Sequence, residues 1–329
     1  MSIGQSGVPA SPVSAILTIG PGEGPACGAS LDALLAQDTG EVVLADHGAH
    51  PDDRAVLPAD PRLRVLRMAP CSRATARNRA LAHARGAWIW VLAPGDRPAP
   101  FALDVARDLT APKTADLLLL PGVVVHADGS VTPHPGQNIL EPLRQSSGDL
   151  RAALALLPPS PPMRLISRAL VVRSALRFAD DHAGGSPPFV VGALLEADQP
   201  AVADLPLFSR PALPDDAGPL ADSRDTAMAM IGASARALSL LATSRFRHAP
   251  RLRLSLLAAT GRTLAGSARP LNPEARAAFD LALSVMLRRM DEPLRWSLLR
   301  PDAETEDTVA RQASWAAEAL GFLRDHLGR

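Results

Sequence analysis

Several short polar stretches in this chain carry side chains able to do chemistry, and most stand just beyond an apolar run. Gly20-Pro21-Gly22-Glu23-Gly24 follows the run Val13 to Ile19, Asp46-His47-Gly48 follows EVVLA (Glu41 to Ala45), and Ala93-Pro94-Gly95-Asp96 follows AWIWVL (Ala87 to Leu92). A carboxylate in such a place, Asp46 or Asp96, can accept hydrogen bonds from a ligand, or can close its own turn or cap the next helix. Arg77 lies in the segment Ser72 to Arg85; an arginine there can grip a phosphate through its planar fork or pair with an acid. His47 and His50 are spaced so that both could face a metal, but no third ligand accompanies them and a solvated loop is the simpler reading. Cys71, beside Ser72 and Arg73, has an electropositive setting that favours a thiolate, yet it lacks a partner histidine.

The elements that must position these groups can be read from periodicity. Val13–Ile19, Glu41–Ala45, Leu63–Leu66 and Ala87–Leu92 read as buried strands, while Ala29–Ala36 and Ser72–Arg85 have helical composition, the latter with Ser72 as N-cap and Gly86 as stop. Strands alternating with helices predict a parallel, doubly wound sheet whose ligand site lies beyond the carboxyl ends of the strands. The apolar run Leu117–His126, the turn signal Asp128-Gly129 and a return strand from Val131 predict that the sheet becomes mixed. Prolines break the chain at 158–162, at 187–188 and through 200–219. Beyond that the pattern is helical, near 222–247, 273–290 and 303–327, and Asn272-Pro273-Glu274 forms a clean helix start. The expected organisation is a disordered stretch at 1–11, an α/β domain over 12–215 and a helical C-terminal subdomain over 220–329.

In that order, VSAILTIG, EVVLADHGAHPDD, DPRLRVL and above all RATARNRALAHARGAWIWVLAPGD resemble a family 2 glycosyltransferase of the GT-A fold. The likeness is good over about 12–110, loose over 111–210, and absent from the C-terminal helices. It implies a GT-A-like doubly wound, mostly parallel but mixed sheet flanked by helices. It also implies a nucleotide-sugar donor held by Asp46, Arg77 and Asp96. The acceptor would be a glycan, a lipid-linked molecule or a protein, and a divalent cation, Mn or Mg, would sit at the donor diphosphate. Two departures stand out. The family's Asp-x-Asp loop is here Ala93-Pro94-Gly95-Asp96, which keeps only the trailing acid. A hard cation wants several oxygen ligands, so Asp96 alone holds it poorly and no metal site is assigned. Where the family's general base is expected, the chain reads Gly184-Gly185-Ser186; Asp180, Asp181 and His182 lie just before it and are the catalytic candidates. A glycosyltransferase and a catalytically inactive relative that binds a partner are therefore both open. A third reading takes the glycine loop and EVVLAD as the opening of an S-adenosylmethionine-dependent methyltransferase, but it leaves RATARNRALAHARGAWIWVLAPGD unexplained.

Composition narrows the partners. Of 329 residues, 47% are hydrophobic, and 34 basic residues balance 34 acidic ones, so no global field draws the chain to nucleic acid. Lys113 is the sole lysine and tyrosine is absent, which points to coding bias from a GC-rich bacterial genome. Two cysteines without a pairing pattern, an N-terminus unlike a secretory leader, and no apolar run of roughly 18 residues predict a cytoplasmic protein, at most peripheral at the inner membrane face.

Overall fold

The computed structural model describes residues 13–55, 57–110, 115–135, 139, 149–179, 186–212 and 224–328. They form two compact units. The first comprises Val13–Val131 with Pro161–Arg173 and Ala201–Pro211; the second takes Thr132–Ser160, Ser174–Pro200 and Ala212 onward. The stretches 132–160 and 174–200, which composition leaves with the sheet, thus group with the C-terminal helices.

The first unit is built on β1 (Val13–Ile19), β2 (Glu41–Asp46), β3 (Leu63–Arg67) and β4 (Trp88–Val91), alternating with α1 (Gly24–Leu35), α2 (Pro51–Arg54) and α3 (Arg73–His83). β1 and β4 are buried along their whole length, which is why they read as uninterrupted apolar runs rather than alternating ones. β1 pairs in parallel with β2 (Ile16 beside Val43) and with β4 (Ala15 beside Trp90). Ser72 caps α3, its Oγ accepting the Thr75 amide at 3.0 Å, and the indole Nε1 of Trp90 donates to the Pro162 carbonyl at 2.8 Å, satisfying a fully buried donor.

The chain continues through β5 (Arg97–Pro98) and α4 (Ala102–Thr110) into β6 (Leu117–Leu119), β7 (Gly122–Val125) and β8 (Val131–Pro133), and later through β9 (Arg164–Ser167), α6 (Arg168–Arg173), β10 (Pro200–Val202) and β11 (Phe208–Pro211). The main sheet runs β10-β6-β9-β4-β1-β2-β3. It is mixed because β9 lies antiparallel to both β4 and β6. The apolar run Leu117–His126 is two strands, not one: Pro121, which has no N–H to donate, separates β6 in the main sheet from β7 in a second sheet. In that second sheet β11 pairs parallel with β7 and antiparallel with β5. The turn at Asp128-Gly129 forms as its sequence predicts, with Gly129 at φ 82°. Because β2 and β3 lie on one side of β1 and β4 on the other, the crossover direction reverses between β1 and β4. That is the switch point at which such sheets open a crevice.

The second unit contains α5 (Leu150–Ala155), α7 (Ser186–Glu196), α8 (Arg224–Thr243), α9 (Pro250–Ala268), α10 (Pro273–Arg289), α11 (Glu292–Leu299), α12 (Ala303–Gln312) and α13 (Ala316–Gly328). Asn272 caps α10 as expected, accepting the Ala275 amide at 2.9 Å. The predicted helix over 303–327 is two helices with a break at Ala313, and α9 and α11 were not foreseen as separate elements. Among the described residues α8 is long and apolar enough to cross a membrane by length and composition, although it is not an uninterrupted apolar run. Its buried face, including Ala227, Ile231, Leu238 and Leu241, packs against α7, α9 and α10, as the central helix of a bundle does.

Candidate functional site

At the switch point the loop after β1 meets the loop after β4. The Gly95 amide donates to the Ala26 carbonyl at 3.0 Å and to Ser30 Oγ at 2.9 Å, both on α1. Gly95 sits at φ 92°, a conformation that favours glycine at this tight corner.

The glycine loop is held from inside. The Gly20 amide donates to Glu23 Oε2 at 2.8 Å, and the Gly22 and Gly24 amides donate to the two oxygens of Asp53 at 2.9 and 3.0 Å. Asp53 also accepts the His50 amide at 3.1 Å. These amides, led by Gly22, hold the Asp53 carboxyl below the usual carboxylate range. The amides that a cofactor-approaching glycine loop would present are therefore already satisfied by carboxylates, and a side chain on Gly20 would strike the His47 ring at 2.9 Å.

Asp46 ends β2 with no solvent exposure. Its oxygens accept the Ala49 and Gly48 amides at 3.0 and 3.2 Å and Arg54 Nε at 2.6 Å. Burial pushes its carboxyl up, but the Arg54 hydrogen bond and the two amides outweigh this and leave it lowered. The predicted metal pair separates. His47 Nδ1 lies 3.1 Å from the Cys71 carbonyl, whereas exposed His50 caps α2. Cys27 is buried, and burial with Glu23 nearby pushes its thiol up to about 12. Asp180, Asp181 and His182 lie outside the described residues.

Asp96 is 1% exposed. It accepts the Ala93 amide at 2.7 Å and faces Arg210 of β11 in a two-point pair, Nε to Oδ1 at 2.7 Å and Nη2 to Oδ2 at 3.0 Å. Arg77, on α3, is 8% exposed. Burial first, then repulsion from Arg73, lowers its guanidinium to about 10; Asp96 and Glu23 oppose the shift, and Arg210 adds to it. Arg73 in turn pairs with Glu23. Two of the predicted residues, Arg77 and Asp96, thus share one electrostatic cluster with Glu23, Arg73 and Arg210, while Asp46 is engaged by Arg54 in the neighbouring loop. Sequence reading did not single out Arg210, Arg73 or Asp53. Glu23 and Arg73 stood in motifs already noticed, but Arg210 lies in a proline-broken stretch without periodicity and carried no local signal.

No protein-family model matches the chain, and neither does any curated protein. Solved structures do. S. aureus TarS 1–349 in complex with UDP-GlcNAc superposes with a TM-score of 0.68 at 15% identity, covering 95% of this chain and 90% of that one. The same fragment in complex with UDP gives 0.65 at 15% identity, with 95% and 89% covered. The longer S. aureus TarS structure gives 0.63 at 16% identity, with 95% of this chain but 55% of that one covered. At this level of identity the likeness establishes architecture: the chain has the GT-A glycosyltransferase fold, a mixed sheet flanked by helices with further helices at its C-terminal end.

Proposed function

We propose that the protein is a glycosyltransferase that binds a nucleotide-sugar donor in the crevice at the β1–β4 switch point. The observation that carries this reading is the convergence of Arg73, Arg77 and Arg210 on the loops after β1 and β4, in a fold shared with a protein solved with UDP-GlcNAc and UDP. Arginines at the mouth of a doubly wound sheet suit a diphosphate, which they bind through charge-assisted hydrogen bonds. Asp46 shapes the neighbouring loop through Arg54, and Asp96 orients Arg210 toward the donor. In the reaction the acceptor hydroxyl oxygen bonds to the anomeric carbon while that carbon's bond to the diphosphate oxygen breaks. The electron pair leaves with the nucleoside diphosphate, and the hydroxyl proton passes to a general base, for which Asp180, Asp181 and His182 are candidates. The acceptor is a glycan, a lipid-linked molecule or a protein, and the work is done in the cytoplasm or at the inner membrane face. The engagement of Asp96 by Arg210 favours transfer without the usual metal.

A second reading, a donor-binding protein without transferase activity, is favoured by the same engagement, since among the described residues no grouping of carboxylates and histidines could hold a metal. Thermal unfolding with UDP-GlcNAc, UDP, other nucleoside diphosphates and S-adenosylmethionine tests the site, because a specific ligand raises the melting temperature by mass action. Stabilisation by a nucleoside diphosphate supports the donor site, and stabilisation by S-adenosylmethionine alone defeats it. Slow release of free sugar from the stabilising donor then separates an enzyme from a binder.

A further inference from the structure

The GT-A resemblance implies a divalent cation at the donor diphosphate, and the residues present do not fit one. The loop after β4 supplies a single carboxylate, Asp96, whose oxygens are taken by Arg210 Nε, Arg210 Nη2 and the Ala93 amide at 2.7, 3.0 and 2.7 Å. A cation entering there would have to displace a guanidinium. It would also meet Arg77 and Arg73. Among the described residues of this cluster, three guanidiniums (Arg73, Arg77, Arg210) accompany two carboxylates (Glu23, Asp96). That balance repels a dication and attracts a polyanion.

Resting on the donor reading above, we propose that Arg210 replaces the cation: clamped by Asp96, it forms with Arg77 and Arg73 a metal-free subsite for the diphosphate of the donor. The two-point pair fixes the plane of the Arg210 guanidinium, so little freedom remains to be lost when a phosphate binds. Its Nη1 makes no hydrogen bond among the described residues, and its side chain is 30% exposed, so one edge of the fork still faces outward. Arg77, on α3, is 8% exposed and interacts electrostatically with Arg73, Asp96, Glu23 and Arg210. Arg73, 35% exposed and paired with Glu23, lies on the rim of the same cluster.

The test is calorimetric titration of the full chain with UDP, in EDTA and again in manganese chloride, with ADP, GDP and TDP as further probes. The expected dissociation constant in EDTA lies within about threefold of that in manganese. Arg210→Ala weakens binding in EDTA about tenfold, the worth of one charge-assisted hydrogen bond. Arg73→Gln, on the rim, weakens it less. Binding that appears only with manganese, or tightens more than about tenfold with it, overturns the arginine subsite while leaving the donor reading intact. Absence of binding by every nucleoside diphosphate in both buffers overturns the donor reading itself. The comparison of buffers uses the unaltered protein, so it decides the matter even if Arg210→Ala fails to fold.

Discussion

Asp96 and Arg210 are separated by 114 residues, yet they form a two-point ion pair in which the carboxylate has no exposure. The pair joins the loop after β4 to a strand of the second sheet, so the same contact shapes the candidate site and ties two sheets together. Removing the guanidinium strands a buried carboxylate, whereas removing the carboxylate leaves an arginine that can still reach water. Arg210→Ala is therefore expected to destabilise by roughly 2–4 kcal/mol and Asp96→Asn by less. Urea unfolding of both single variants and the double variant measures this. A double variant as unstable as the sum of the singles would show that the pair is not coupled.

Acid should act on the loops around the glycine turn. The carboxyls of Asp46 and Asp53 are both lowered in the folded protein, so they bind protons less readily folded than unfolded. The stability they contribute is present above the unfolded carboxylate value, about 4, and is lost as pH falls through the lower folded values. The melting temperature should hold from about pH 7 to 5 and drop below about 4. Asp53→Asn, which abolishes one of these titrations, should be less stable at neutral pH and show a shallower acid limb.

Sequence alone carried the four parallel strands, because β1, β2 and β4 are almost wholly buried runs bounded by turn residues and β3 is a short apolar-rich stretch after a turn, and it carried the caps at Ser72 and Asn272, because capping is a local interaction. It placed Arg77 on a helix, and Asp46 and Asp96 at or just beyond the carboxyl ends of strands. What it lacked was long-range. The partner of Asp96 comes from a strand that follows a proline-broken stretch, and Asp53 acts by reaching back across 31 residues to the Gly22 amide. No periodicity announces such pairings. The run Leu117–His126 misled for the opposite reason: hydrophobicity is continuous through Pro121 although the two sheets are not.

Two glycines on α9 should respond oppositely to alanine. A Cβ at Gly261 would come within 2.3 Å of the Ala319 carbonyl oxygen, a backbone atom of α13 that cannot move aside without separating the helices. At Gly266 nothing lies within 4 Å. Gly261→Ala should cost about 1–3 kcal/mol by overpacking. Gly266→Ala should gain about 0.5–1 kcal/mol by improving helix propensity. Paired thermal melts settle it, and equal responses would mean that α9 and α13 do not approach as closely as described.

The two thiols should differ in reactivity. Cys27 is fully buried and its thiol is pushed up to about 12, by burial first and by Glu23 second, so it carries almost no thiolate near neutral pH. Cys71 is partly exposed at the entry to α3. Since the thiolate is the nucleophile, a disulfide reagent at pH 8 should label Cys71 in the native protein and reach Cys27 only after denaturation. Cys71→Ser should then leave the native protein unlabelled. A nucleoside diphosphate bound against Arg73 and Arg77 would lie close to the start of α3, and slower labelling of Cys71 in its presence would report occupancy of the site without any measurement of turnover.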